Sequence, residues 1–227
     1  MTVRRRVLLS LLKLTREGSI SKGLVSKDAR IHVQVVNDVL EKISGEGLVR
    51  LKGRTVEVSV HQRVKIAIRA INLGADSERA CRVLTWDEFE NITAEAFLAN
   101  NFQVTQRFRF KCAGRRWEID VIGCKEPVIA SVDCKHWRHG WGKSASVKAV
   151  EAQIERTEAL ARVLHVHHEL GLTDWRKAAL VPVILSLVPS PLKSYENTPI
   201  VPVLQLRNFL SELPAHINAL KHFPINP

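Results

Sequence analysis

Arg116-Trp117-Glu118-Ile119-Asp120-Val121-Ile122-Gly123 and Val128-Ile129-Ala130-Ser131-Val132-Asp133-Cys134-Lys135 are joined by the short spacer Cys124-Lys125-Glu126-Pro127. Both runs are rich in β-branched residues and read as strands, with a proline-containing turn between them. Asp120 stands inside the first run. Asp133 and Lys135 stand two residues apart on the second, so the period of two puts them on one face. Strands this close in sequence pair as neighbours, which lets Asp120 face that pair. Two carboxylates converging in an otherwise apolar sheet are costly unless neutralised. A divalent cation that takes oxygen ligands, Mg²⁺ or Mn²⁺, would neutralise them. A lysine alongside suits a site that activates water and stabilises charge on a phosphate.

Working outward, the spacing predicts a helix from Leu84 to Asn101, with Thr85 as N-cap and Glu88 closing a capping box. Trp86, Phe89, Ile92, Thr93, Ala96 and Phe97 form its apolar face, with Glu88, Glu90 and Glu95 off it or at its margin. Phe102 to Phe110 alternates as a strand ahead of the two quoted runs. A long helix from about Ser146 to Leu164 follows them, with Val147, Val150, Ile154, Leu160 and Val163 as its stripe. Leu180 to Leu187 and Ile200 to Leu204 read as further strands, and Leu206 to Leu220 as a last helix.

This order, with Glu118-Ile119-Asp120, twelve intervening residues and then Asp133-Cys134-Lys135, resembles the PD-(D/E)xK phosphodiesterases. It looks most like their Mrr-like branch, with the Holliday-junction resolvases next. Phe89-Glu90, Ile119-Asp120-Val121-Ile122-Gly123 and Cys134-Lys135 match that branch, over roughly residues 85–205. The resemblance implies an α/β fold, a restriction-endonuclease-like mixed sheet flanked by helices. It implies catalytic roles for Glu90, Asp120, Asp133 and Lys135. Asp120, Asp133 and the Cys134 backbone carbonyl would hold the metal, and Gln153 on the following helix would stand near the site. The chain departs from the family in lacking the proline before Asp120 and in having Thr157 where an aromatic residue often stands. Glu118 shares a face with Asp120 and is an accessory candidate. Glu95 substitutes for Glu90 if the helix register differs. The competing reading of Asp133 and Lys135 is a solvated edge-strand ion pair, and of Glu90 a helix-surface charge.

The N-terminal third has its own character. Residues 1–74 hold 15 Lys/Arg against 6 Asp/Glu, whereas residues 75–227 are nearly balanced at 19 against 17. Most of the net charge of +11 therefore lies in one third of the chain, as expected of a module that binds a polyanion. Val7, Leu8, Leu11, Leu12 and Thr15 mark a first helix, Ser21 begins a second, and Val36, Val39, Leu40 and Ile43 mark a third. Leu48 to Val58, broken by Gly53, reads as a basic hairpin. Three helices and a hairpin resemble the winged helix-turn-helix family. His32, Gln34 and Asn37 would then face base edges, while Arg50, Lys52 and Arg54 on the wing would contact phosphates. Asp38 and Glu41 on the third helix argue against tight groove insertion, and winged helices also serve as protein-docking modules. A connecting helix follows, with Val64, Ala67, Ile68 and Ile71 as its stripe and Arg63, Lys65 and Arg69 exposed. The expected domains are residues 1–60, a linker helix at 61–84, and 85–227.

Composition limits the remaining classes. Apolar residues at 45% and charged residues at 25% describe an ordinary globular chain with no membrane span. Arg4-Arg5-Arg6 and Val7 to Leu12 look like the start of a signal peptide, but Lys13 cuts the run short, so an amphipathic helix and a cytoplasmic location are expected. Cys81, Cys112, Cys124 and Cys134 lack the pairing of a zinc ribbon. His165, His167 and His168 suit a helix C-terminus better than a metal. No histidine stands ready to activate Cys134 as a nucleophile. His136 to Trp141 reads as a substrate-facing loop in which Arg138 would hold a phosphate. The expected function is Mg²⁺- or Mn²⁺-dependent endonucleolytic cleavage of duplex or branched DNA, with a homodimer supplying the second site. The alternative is a catalytically inactive DNA-binding or regulatory protein on the same scaffold.

Overall fold

A computed structural model describes residues 2–76, 79–80, 82–135, 142–187 and 189–225. The chain divides into two compact units, Met1–Glu88 and Phe89–Pro227.

The first unit begins with α1 (Val3–Leu14), whose Val7, Leu8, Leu11 and Leu12 are fully buried. α2 (Lys22–Ala29) is capped by the Ser21 hydroxyl and stops at Arg30, which adopts the left-handed conformation. α3 (Val33–Gly45) buries Val36, Leu40 and Ile43. Strands β1 (Ile20–Ser21), β2 (Arg50–Lys52) and β3 (Thr55–Glu57) form an antiparallel sheet in the order β1-β3-β2. β1 was not foreseen; two residues carry no period. The β2–β3 turn needs Gly53, at φ +55°, a conformation that costs a residue with a Cβ. α4 (Val60–Asn72) opens on a reciprocal capping box between Ser59 and Gln62.

The buried face of α4 differs from the expected one. Ile68 is exposed, while Ile66, Ala70 and Arg63 are buried. Arg63, expected on the basic surface, donates from Nε to Glu88 at 2.5 Å. Its other nitrogens reach the Leu12 carbonyl at 2.6 Å, the Thr15 hydroxyl at 2.9 Å and the Val83 carbonyl at 2.8 Å. An arginine so fully bonded can occupy a core position that its charge alone would forbid.

The second unit is mixed α/β. α5 (Trp86–Ala99) spans the division, with the capping box of Thr85 and Glu88 at its start. β4 (Gln103–Cys112), β5 (Arg115–Lys125) and β6 (Val128–Lys135) form an antiparallel meander. α6 (Lys143–Val163) leads to β7 (Ala178–Ser186), which lies parallel to β6. Then come β8 (Ser194–Tyr195), β9 (Thr198–Pro202), α7 (Leu206–His216) and β10 (Phe223–Ile225). The seven-stranded sheet runs β4-β5-β6-β7-β9-β8, and β10 pairs antiparallel with the start of β7. The short β8 and β10 escaped sequence reading. β6 and β7 are buried almost throughout, as interior strands of a covered sheet must be. Phe108, Phe110, Ile119, Ile122, Ile129 and Leu160 belong to one core cluster. A Cβ at Gly123 would lie 2.2 Å from the Phe97 ring, so only glycine lets α5 lie this close to β5. Among the described residues, no helix is long and apolar enough to cross a membrane.

Candidate functional site

β5 and β6 pair from Lys125–Val128 to Val121–Val132. Beyond that pair the amide of Cys134 donates to Asp120 Oδ2 at 2.7 Å, in place of a ladder bond. Within a strand a residue's N–H and C=O point the same way, so the Cys134 carbonyl also points toward Asp120. One residue on, the Lys135 carbonyl turns the other way and accepts from Leu187 at 3.4 Å. The mouth of the two strands thus gathers a carboxylate and a carbonyl. Burial pushes the Asp120 carboxyl up to about 6; the Cys134 amide opposes this, the Asp133 charge adds to it, and Lys135 and Arg156 lower it again.

Asp133 is 4% exposed on an interior strand, so a solvated edge-strand ion pair does not describe it. Lys135 Nζ sits 2.7 Å from its Oδ2, and Arg156 Nη1 donates to its Oδ1 at 2.7 Å. Both oxygens of one buried carboxylate are therefore held by cations. α6 builds this side of the site. Gln153 donates to the Ser131 carbonyl at 2.7 Å and accepts from Arg156 at 2.7 Å, while the Thr157 hydroxyl bonds Ser131 at 3.0 Å. Gln153 is fully buried. Thr157 belongs to the same polar line. Arg156 was missed, because a helix arginine reads as solvated. Its position three residues from Gln153, on the face that meets β6, is the signal that could have found it.

Across the strand, Cys134 faces α5, where the Thr93 side chain bonds its thiol. Burial, with the charges of Asp120, Asp133 and Glu90, raises that thiol well above its ordinary value, so it is no nucleophile at neutral pH. Glu90 is 5% exposed and pairs with Arg107 at 2.8 Å, so it is not a helix-surface charge. The buried face of α5 is turned toward Glu90: Trp86, expected inside, is exposed. Glu95 is exposed. Glu118 is also exposed and is held by Arg109 at 2.7 Å. Arg138 and the rest of His136 to Trp141 lie outside the described residues.

In the first unit, Gln34, Arg50, Lys52 and Arg54 are exposed. Lys52 pairs with Glu57 at 2.9 Å. Asn37 is half-buried, and its Oδ1 has no partner among the described residues. His32 serves as the N-cap of α3, accepting from the Gln34 amide at 3.4 Å.

The donors at the strand mouth are all oxygens: two carboxylates and a backbone carbonyl. That chemistry suits Mg²⁺ or Mn²⁺, and a desolvated carboxyl raised to about 6 is one that a cation would relieve. Among the described residues no cluster of three His, Cys, Asp or Glu could hold a metal.

No protein-family model matches the chain. Over 130 residues it is 28% identical to an uncharacterized protein of Archaeoglobus fulgidus, covering 57% of this chain and 92% of that one. Among solved structures it aligns with protein VC1899 from Vibrio cholerae at a TM-score of 0.39 and 12% identity. That alignment covers 95% of this chain and 51% of the other, so the chain spans about half the length of the Vibrio protein.

Proposed function

We propose that this chain is a metal-dependent DNA endonuclease of the PD-(D/E)xK, restriction-endonuclease-like superfamily. One observation carries the reading: Asp120, Asp133 and Lys135 converge where β5 and β6 part, with Asp120 locked to the Cys134 amide. Asp120 and Asp133 would hold Mg²⁺ or Mn²⁺ together with the Cys134 carbonyl. A bound metal supplies Lewis-acid polarisation of the scissile phosphodiester. Lys135 orients the attacking water or steadies charge on the phosphate from its place beside Asp133. Arg156, itself held by Gln153, occupies Oδ1 of Asp133 and would yield that oxygen to the metal. Glu90, tied to Arg107, keeps a further negative charge on the α5 side.

In this reading the first unit is a winged helix that grips DNA. Helices α1 to α3, the three-stranded sheet and the exposed Arg50, Lys52 and Arg54 support that assignment. So does the cationic excess of residues 1–74. Cutting both strands of a duplex calls for two active sites, which a homodimer supplies.

A second reading, a catalytically inactive DNA-binding or regulatory protein on this scaffold, is favoured by a different observation. Lys135 and Arg156 already neutralise both oxygens of Asp133, so the carboxylate is compensated without a metal. Calorimetric titration with Mn²⁺ separates the two. The endonuclease binds Mn²⁺ in the wild-type form and loses it in Asp120→Ala; a wild type that takes up no Mn²⁺ leaves the scaffold reading.

A further inference from the structure

The β4–β5 hairpin carries a charge pattern that folding alone does not call for. Lys111 and Arg116 are directly opposed across the two strands, as are Arg109 and Glu118. Opposed residues share a face, and residues two apart on one strand share it too, so these four side chains form one exposed patch. They line a single groove of about 700 Å³. Arg109 is balanced by Glu118 at 2.7 Å. Lys111 and Arg116 have no acidic partner among the described residues, and like charges directly opposed on neighbouring strands repel.

The row also has a direction. Pairing passes from Lys111–Arg116 to Arg109–Glu118, then Phe108–Ile119, and resumes at Gln106–Val121. Arg107, at φ +52°, interrupts the ladder opposite Asp120, so Asp120 lies just beyond the end of the row along the same two strands. Successive positions on the row are roughly 6.8 Å apart, so the unpaired cations lie about 14 Å along the strand from the Asp120 position.

We infer that this hairpin face is a track for the sugar–phosphate backbone of duplex DNA, leading into the strand mouth at Asp120. The inference takes its occupant from the endonuclease reading above. The duplex is favoured over a single strand because the rings that line this groove, Phe110, Trp117 and His167, are already packed against one another or covered and are not free to stack on bases. Phe108 and Phe110 are buried, and the ring of the half-buried Trp117 is covered by the Arg115 guanidinium, 3.7 Å from its centroid.

The test is equilibrium binding of a short labelled DNA duplex to the full chain, without divalent metal, across a series of salt concentrations. The Lys111→Gln/Arg116→Gln protein should bind on the order of tenfold more weakly at low salt, with a log–log salt slope shallower by nearly two. Lys193→Gln, an exposed lysine off this face, should bind as wild type does. Lys111→Glu should fold at least as well as wild type, because it turns a repulsive pair into an attractive one, yet bind duplex more weakly still. Unchanged affinity and slope in the double variant would overturn the track, as would a loss confined to single-stranded DNA or RNA. Cleavage by wild type with Mg²⁺, accompanied by unaltered binding in the double variant, overturns the track and leaves the endonuclease standing. Hairpin-dependent duplex binding by a wild type that cuts nothing supports the track and removes the endonuclease.

Discussion

Asp120 accepts the backbone amide of Cys134 at 2.7 Å, and this bond stands where the β5–β6 ladder would otherwise continue. A side chain has taken over a ladder position. The strands part there, and the carboxylate is held in a partly dry site beside a second one. Its carboxyl rises to about 6 as a result. Perturbed carboxylates of this kind cluster at functional sites, where stability is given up for chemistry.

Asp120→Asn is therefore expected to stabilise the protein at pH 7–8 while abolishing cleavage. The folded-state value, about 6, lies above the ordinary 3.8. Below the ordinary value both folded and unfolded chains are protonated and no penalty exists. The penalty grows as pH rises between the two values and is complete above about 6. The full shift corresponds to about 2–3 kcal/mol as an upper bound. Urea melts of both proteins at pH 5 and pH 8 check this, with the larger gain expected at pH 8.

Arg156→Gln removes one of the two cations on Asp133. Without metal the variant should be less stable by about 1–3 kcal/mol, because a buried carboxylate loses a charged partner. With metal the sign reverses: Mn²⁺ no longer competes with Arg156, so calorimetry should show tighter binding than in wild type. Weaker binding would make Arg156 a support of the metal site, not a competitor for it.

Arg63→Met leaves Glu88 buried without its partner. The expected loss is about 3–5 kcal/mol, measured by urea denaturation. Adding Glu88→Leu should restore much of it, since replacing both members of a buried pair costs less than breaking it.

Gly123→Ala should cost about 1–3 kcal/mol through the collision with Phe97, and Phe97→Leu should relieve part of that cost in the double variant. Thermal melts of the single and double variants are sufficient.

The strand signals at Asp120, Asp133 and Lys135 were legible because alternation is local: two residues along one strand share a face whatever surrounds them. The Thr85–Glu88 capping box was legible for the same reason. Arg63 and Arg156 were not. Each lies on a helix whose rotation is set by what packs against it, and an arginine reads as solvated until its partners are known. Glu90 illustrates the same limit. Its helix was foreseen, but Trp86 is turned outward and Glu90 inward, an orientation that depends on Arg107 from a strand 17 residues away. β1, β8 and β10 are too short to carry a period and exist only through the strands they pair with.

The most direct measurement is cleavage of supercoiled plasmid, linear duplex, single strand and four-way junction with Mg²⁺ or Mn²⁺, comparing wild type with Asp120→Ala and Lys135→Ala. The account predicts metal-dependent cutting by wild type and none by either variant, all three still binding DNA. Equal cutting by all three, or none by a folded, DNA-binding wild type, would contradict it.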